Sequence, residues 1–214
     1  MTPLTTAIAL LLAAALPQST ATPSSPTTTF HSDALHLDYA YATSFTTMPA
    51  VADQALQSEK DKASGAVAKA EVSCISLPLT ATDSNSGFRM ISIMRLDGTC
   101  LGRPTTSSEL AALTTSSLTQ SLKRFGDPQI GTAAYFHVAD HSAAVLSGSV
   151  KSEKYGTTFY GTATCLLQGN DAVCWEFLAS NCSALPELMA YPIQFDGQPA
   201  QPLIPAKFAQ VCKP

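Results

Sequence analysis

Two cysteines in the stretch CLLQGNDAVC, Cys165 and Cys174, are the first residues whose types and spacing could do chemistry. Such a pair can be a redox dithiol, half of a zinc site or a disulfide. Redox dithiols favour C-x-x-C at a helix start, and zinc needs a second cysteine or histidine pair at ligand spacing. The sequence offers neither arrangement around this stretch, so it favours a structural disulfide.

The same stretch predicts a β-hairpin. Gly169-Asn170 at its centre is a strong signal for a two-residue hairpin turn. Counting back from the turn places Cys165 opposite Cys174 at a non-hydrogen-bonded position, where Cα atoms lie about 4.5 Å apart. That distance is at the near end of the disulfide range. We therefore expect a cross-strand disulfide.

Four further cysteines, Cys74, Cys100, Cys182 and Cys212, bring the total to six. An even set in an exported chain indicates three disulfides, although six cysteines allow 15 pairings. We predict sequential pairing, with Cys74 bonded to Cys100 and Cys182 bonded to Cys212. The geometric argument applies to the hairpin pair alone.

A second candidate for chemistry is HVADH, in which His137, Asp140 and His141 could bind a metal if the turn brought both imidazoles together. The simpler interpretation makes His137 a strand residue and His141 a turn residue, and we predict neither a metal nor a cofactor. The sequence contains no G-x-S-x-G, H-E-x-x-H, P-loop or dinucleotide-binding motif. A metal-assisted or hydrolytic enzyme centred on HVADH remains the alternative function.

The beginning of the chain predicts export. Residues 1–21 combine a short apolar run with a small-residue ending, in which Ser19 and Ala21 occupy the −3 and −1 positions of a cleavage site. The run is about half the length that a membrane-spanning helix needs, so we expect a cleaved signal peptide and a secreted protein, periplasmic or extracellular. Residues 22–32, rich in Pro, Ser and Thr, are expected to form a disordered tether before a single domain of residues 33–214.

The composition limits the partners. Charged residues make up 13% of the chain, about half the usual share. The formal net charge is -4, and Lys and Arg form no cluster. These features argue against nucleic acid and against an anionic membrane surface as partners. A protein or small-molecule ligand is left open, as is the oligomeric state.

Alternating strands and helices would position these residues. Apolar alternation predicts a strand over residues 35–45, and helical spacing predicts a helix over residues 50–70. Thr106 and Glu109 form a capping box at the start of a second helix, which ends before Pro128. The remaining predicted elements are hairpins of residues 71–79 with 88–96, 130–138 with 143–150, and 159–179, and a short helix of residues 183–190.

The last hairpin is apolar on both faces. One face carries Tyr160, Leu166, Val173, Trp175 and Phe177, and the other carries the cysteine pair, small residues, Leu167 and Leu178. A sheet with two apolar faces needs cover on both. We therefore predict an α+β fold, an antiparallel sheet covered by helices on both faces (an α/β sandwich) and stabilised by disulfides, with the two longer helices as the cover.

The order of elements, from ALHLDYAYATSF through a helix, a hairpin and a second helix to YFHVADHSAAVLSGSV and TFYGTATCLLQGNDAVCWEFLAS, resembles the PsbP-like fold of the photosystem II extrinsic subunit and its secreted bacterial relatives. The resemblance covers roughly residues 33–196 as element order and hydrophobic pattern. It implies a secreted or lumenal accessory protein without a catalytic centre, and it carries over no functional residue. The six cysteines depart from that family's pattern. The predicted function is a secreted, non-catalytic binding or accessory protein.

Overall fold

The structure, a computed structural model, describes residues 26–85 and 87–208. Its strands are β1 (Thr27–Ser32), β2 (Leu37–Ala42), β3 (Thr46–Thr47), β4 (Ile75–Asp83), β5 (Arg89–Leu96), β6 (Gln129–Ile130), β7 (Ala134–Val138), β8 (His141–Ser152), β9 (Thr157–Gln168), β10 (Asp171–Ala179), β11 (Pro192–Phe195) and β12 (Gln201–Pro202). Its α-helices are α1 (Pro49–Lys62), α2 (Ala66–Ser73), α3 (Leu110–Lys123) and α4 (Leu185–Met189). No helix in these two ranges is long and apolar enough to cross a membrane.

The strands form two antiparallel sheets. The larger has the order β3-β4-β5-β10-β9-β8-β6, with β7 also paired to β8, and the smaller has the order β1-β2-β11-β12. The main core lies between the sheets, where Tyr39 and Ile193 of the smaller sheet pack with Trp175 and Phe177 of the larger. Leu188 of α4 belongs to the same core. One face of the larger sheet is therefore covered by the smaller sheet and α4.

The other face of the larger sheet carries the long helices. Leu118 and Leu122 of α3 pack on Leu146, Ala163 and Leu178. Side chains of α1 and α3 line one pocket over this same face. The predicted α+β fold, with helices on both faces of an antiparallel sheet, is confirmed. The prediction that the two longer helices supply the cover is wrong for one face, because α1 and α3 both lie over the other face and the smaller sheet packs on the first with α4.

The start of α3 follows the predicted capping box. The Thr106 backbone N–H donates to Glu109 Oε2 at 2.8 Å, and the Thr106 hydroxyl donates to the same oxygen at 2.8 Å. Arg103 Nη1 donates to the other carboxylate oxygen at 2.7 Å. These bonds stabilise the charged form, so the pKa of Glu109 falls to about 2.

Several predicted boundaries differ from the structure; residues 71–73, for example, belong to α2 and not to the predicted strand of residues 71–79. Residues Thr27–Ser32 of the expected tether form β1, because they pair continuously with β2 from Thr27 opposite Ala42 to Ser32 opposite Leu37. The predicted helix over residues 50–70 is broken into α1 and α2, since Gly65 adopts a positive φ of 87° at the junction. The predicted signal peptide lies outside the described residues.

Candidate functional site

The cysteine pair of CLLQGNDAVC is part of the apolar packing. In the β9–β10 hairpin, Cys165 pairs with Cys174 in the expected register, and a disulfide joins them across 4.0 Å between Cα atoms. Both residues are buried beside Leu110 and Ala144. The pair is thus enclosed beneath α3 and links two neighbouring strands.

Two of the other four cysteines form a second disulfide within the described residues. Cys74, which follows α2, is bonded to Cys100 in the loop after β5, with 5.5 Å between Cα atoms. Cys182 is disulfide-bonded. Cys212 lies outside the described residues, so the pairing of Cys182 with Cys212 stays a prediction.

The structure does not bring the two histidines of HVADH together. Val138 is the cross-strand partner of His141, so these two side chains share a face of the sheet, whereas His137 points to the opposite face. His141 Nδ1 donates to the Leu167 carbonyl oxygen at 2.9 Å, and its ring lies 4.2 Å from that of Phe195. Across residues 26–85 and 87–208, no group of three or more His, Cys, Asp or Glu side chains could hold a metal ion.

The most unusual chemical environment belongs to a residue that the sequence patterns did not single out, Glu176 on β10. Its side chain lies on the helix-covered face of the larger sheet, and the residue is only 7% exposed. Its two carboxylate oxygens accept hydrogen bonds from the hydroxyls of Ser117 and Ser121. Burial raises the pKa of Glu176, while the two serine bonds and the charge of Arg124 oppose the rise.

Strand register explains the surroundings of Glu176. Glu176 is paired with Ser92 of β5, and Ser92 is paired with Thr80 of β4. Cross-strand partners share a face, so these three polar side chains form a row across the sheet. The Thr80 and Ser92 hydroxyl oxygens lie 3.3 Å apart. We call Thr80, Ser92 and Glu176 the polar row.

The opposite side of the site is supplied by α3. Ser117 and Ser121 are four residues apart, so they lie on the same face of the helix, one turn from each other. Both are buried. Gly161 of β9 lies under the helix, where an added Cβ would come within 2.7 Å of the Leu118 side chain. Glycine at this position therefore allows the close approach that places both serines on Glu176.

A pocket of about 130 Å³ opens beside the polar row. Its walls come from α1, α2, α3 and the strands β4, β5 and β10. Most of the wall is apolar, and the aliphatic lining residues are Val51, Ala52, Ala55, Leu56, Val72, Ile75, Leu77, Met90 and Met94. The polar lining consists of the polar row, the two serines, Gln120, Glu59 and Arg124. The pocket thus combines an aliphatic enclosure with one polar wall.

The charged residues that line the pocket differ in burial, and Glu176 is the most buried of them. Glu59 is partly exposed and forms an ion pair with Lys62 at 2.9 Å, and Arg124 is exposed. Among the described residues, the two serine hydroxyls are the only groups within hydrogen-bonding distance of the Glu176 carboxylate. A carboxylate has about four acceptor positions, so two remain for another donor. The site can therefore bind a molecule with an apolar body and a hydrogen-bonding head.

Comparisons of sequence and of structure give different results. No protein-family model and no curated protein matches the sequence. Solved structures with a similar arrangement include cyanobacterial PsbP (CyanoP) from Synechocystis sp. PCC 6803, with 7% identity, a TM-score of 0.45, and coverage of 74% of this chain and 82% of that one. LpqN of Mycobacterium tuberculosis, described as involved in cell envelope biogenesis, is also similar. It has 12% identity, a TM-score of 0.38, and coverage of 80% of this chain and 79% of that one.

A third similar structure is PA94 of Pseudomonas aeruginosa, a protein of unknown function, with 10% identity, a TM-score of 0.31 and coverage of 74% of this chain and 85% of that one. The predicted resemblance to the PsbP-like fold is confirmed as a weak one.

Proposed function

We propose that this protein is an extracytoplasmic, non-catalytic binding protein that holds a small molecule with an apolar body in the pocket beside Glu176. The observation that carries the proposal is a buried carboxylate on the wall of an otherwise mainly aliphatic pocket. Ligand sites commonly combine an apolar lining with a few placed polar groups. The polar row would orient the ligand, and the aliphatic wall would hold its body.

The disulfides support the location. Cys74–Cys100 and Cys165–Cys174 point to an oxidising compartment outside the cytoplasm, where such bonds form and persist. We propose that export depends on the signal peptide of residues 1–21 and that the mature chain begins near Thr22. Periplasmic and extracellular locations are equally compatible with these bonds.

The pocket volume sets the size of the ligand. An apolar cavity of about 150 Å³ in another protein holds benzene, and this pocket encloses about 130 Å³. A molecule of about six non-hydrogen atoms, or the end of a longer one, would fit. The ligand head would then lie at Glu176, and its body would contact residues such as Leu56 and Leu77.

A screen of neutral, cationic and anionic six- to eight-atom fragments by ligand-observed NMR tests the proposal. The mature protein is compared with Ala55→Phe, which fills the pocket, and with the control Ala50→Phe, which places the same side chain at an exposed position of α1 outside the lining. We expect at least one fragment to bind wild type and the control, and to lose binding in Ala55→Phe. Binding by none of the fragments, or equal binding by all three proteins, would refute the pocket as the ligand site.

A further inference from the structure

We infer that the pocket selects small primary amines, with the ammonium group on Glu176 and a short alkyl body against the aliphatic wall. This inference deepens the proposed function and rests on the same pocket. It concerns the chemical class of the ligand, which the volume of the pocket does not determine.

The hydrogen bonds to the buried Glu176 carboxylate are incomplete. A buried carboxylate is costly unless it is paired with a cation and fully hydrogen-bonded. Here the two contacts are neutral hydroxyls, from Ser117 and Ser121, in the part of the chain that the structure describes. A primary ammonium carries three N–H donors and one positive charge. It therefore supplies the missing donors, and its positive charge adds to that of the exposed Arg124, which already favours the ionised carboxylate.

The ionisable residues that line the pocket are mainly acidic. Three ionisable groups line it, and two of them, Glu59 and Glu176, are acidic. The third, Arg124, is exposed and could attract an anionic head group. An anion that entered far enough to bury its body would however approach Glu176, which lies deeper than Arg124. The arrangement of charge therefore favours a cation over an anion.

The aliphatic wall of the pocket suits an alkyl chain. Leu56, Ile75, Leu77 and Met94 offer methyl and methylene groups. An alkyl chain of about five carbons would bury its methylene groups against such a surface, and burial of apolar area is favourable. Pentylamine, with six non-hydrogen atoms, fits a pocket of about 130 Å³. It is also the amine member of a five-carbon series whose head group is an ammonium, a hydroxyl or a carboxylate.

Isothermal titration of wild-type protein with n-pentylamine, 1-pentanol and pentanoate tests the inference at pH 7. We expect pentylamine to bind more tightly than pentanol, and pentanoate to bind most weakly. In Glu176→Gln, which keeps the shape of the side chain, pentylamine should lose on the order of thirtyfold in affinity, while pentanol keeps its affinity. The control Glu71→Gln, which removes an exposed acid outside the pocket lining, should change pentylamine affinity by less than about threefold, because an exposed charge interacts weakly.

The outcomes separate this inference from the proposed function. Equal binding of pentylamine and pentanol, abolished by Ala55→Phe, would leave the pocket as the ligand site and overturn the selection of amines. Tightest binding of pentanoate would overturn it too and would assign recognition to Arg124. Failure of all three probes to bind would overturn the selection of amines, and the fragment screen would then decide whether the pocket is the ligand site. The wild-type comparison of three probes stands even if Glu176→Gln does not fold.

Discussion

At the scale of single residues, Glu176 sets the chemical character of the pocket and should also leave a mark on stability. Burial raises the pKa of its carboxyl above the ordinary value of 4.5. Above that value the unfolded chain loses the proton while the folded protein still retains it. The folded state then binds more protons, so the free energy of unfolding falls as pH rises through the folded pKa.

We therefore predict that the stability of wild type, measured relative to Glu176→Gln, decreases as the pH rises above 4.5, the ordinary pKa of a glutamate side chain. Urea unfolding of both proteins at four pH values above 4.5 measures it, and subtraction removes the contributions of other groups. One such group is His31, whose pKa is raised by hydrogen bonds to Asp38 and Asp33. A difference for Glu176→Gln that rose with pH would show that ionisation of Glu176 is favoured by folding.

Part of the site could be predicted from the sequence at this scale. Alternation along β10 places Glu176 on the same face as Cys174 and Leu178, so an acid at an inward position was visible. The spacing of Ser117 and Ser121 also places both on one face of a helix. That these serines lie on Glu176 depends on how α3 crosses the sheet, which local patterns do not determine.

At the scale of elements, the β9–β10 hairpin offers a direct test of the disulfide. Its cysteines are nine positions apart, and those of Cys74–Cys100 are 26 apart. Loop-closure entropy gives about 2 to 3 kcal/mol for the shorter loop and about 3 to 4 kcal/mol for the longer one. We predict that Ala at both Cys165 and Cys174 lowers the free energy of unfolding by the smaller amount and leaves the protein folded, because Trp175 and Phe177 still anchor the hairpin.

Urea unfolding of this double variant, beside a variant with Ala at both Cys74 and Cys100, measures the difference between the two disulfides. Non-reducing peptide mapping of the native protein checks each pair. Recovery of Cys165 bonded to another cysteine would contradict the predicted pairing. Loss of ligand binding in a folded Cys165 and Cys174 double variant would contradict its structural role.

The elements that the sequence predicted well are those with local signals. The capping box of Thr106 and Glu109, and the turn at Gly169-Asn170, depend on neighbouring residues alone. Strand β1 has no such signal, since its composition is typical of a tether and its structure comes from pairing with β2. The junction at Gly65 was also missed, because the apolar spacing of α1 and α2 continues across it.

At the scale of the whole molecule, the sequence predicted that helices cover both faces of the larger sheet, but not that a second sheet lies on one of them. The aromatic face of β2, with Tyr39 and Tyr41, forms part of a second sheet rather than an extension of the first. That sheet is completed by β11 and β12 from the end of the chain. Pairing over more than 150 positions, such as Tyr39 with Ile193, has no local sequence signal.

The close packing of α3 on the larger sheet at Gly161 leads to a further prediction. A Cβ there would lie 2.6 Å from Leu178 Cδ2 and 2.7 Å from Leu118 Cδ1, both in the core beneath α3. Gly161→Val should therefore push α3 from the sheet and lower the free energy of unfolding by about 1 to 3 kcal/mol, as overpacking does. Because α3 carries Ser117 and Ser121, ligand-observed NMR should also show weaker binding of any fragment held in the pocket.

Thr158→Val, a β-branched substitution on the same strand beyond the α3 contact, is the matched control and should change stability by less than about 0.5 kcal/mol. Urea unfolding of both variants beside wild type measures the two effects. If Gly161→Val is as stable as wild type, α3 does not depend on a close approach at this position. If it is less stable but keeps its fragment affinity, the substitution does not disturb the contacts of Ser117 and Ser121 with Glu176, and the close approach at Gly161 is not what positions these serines.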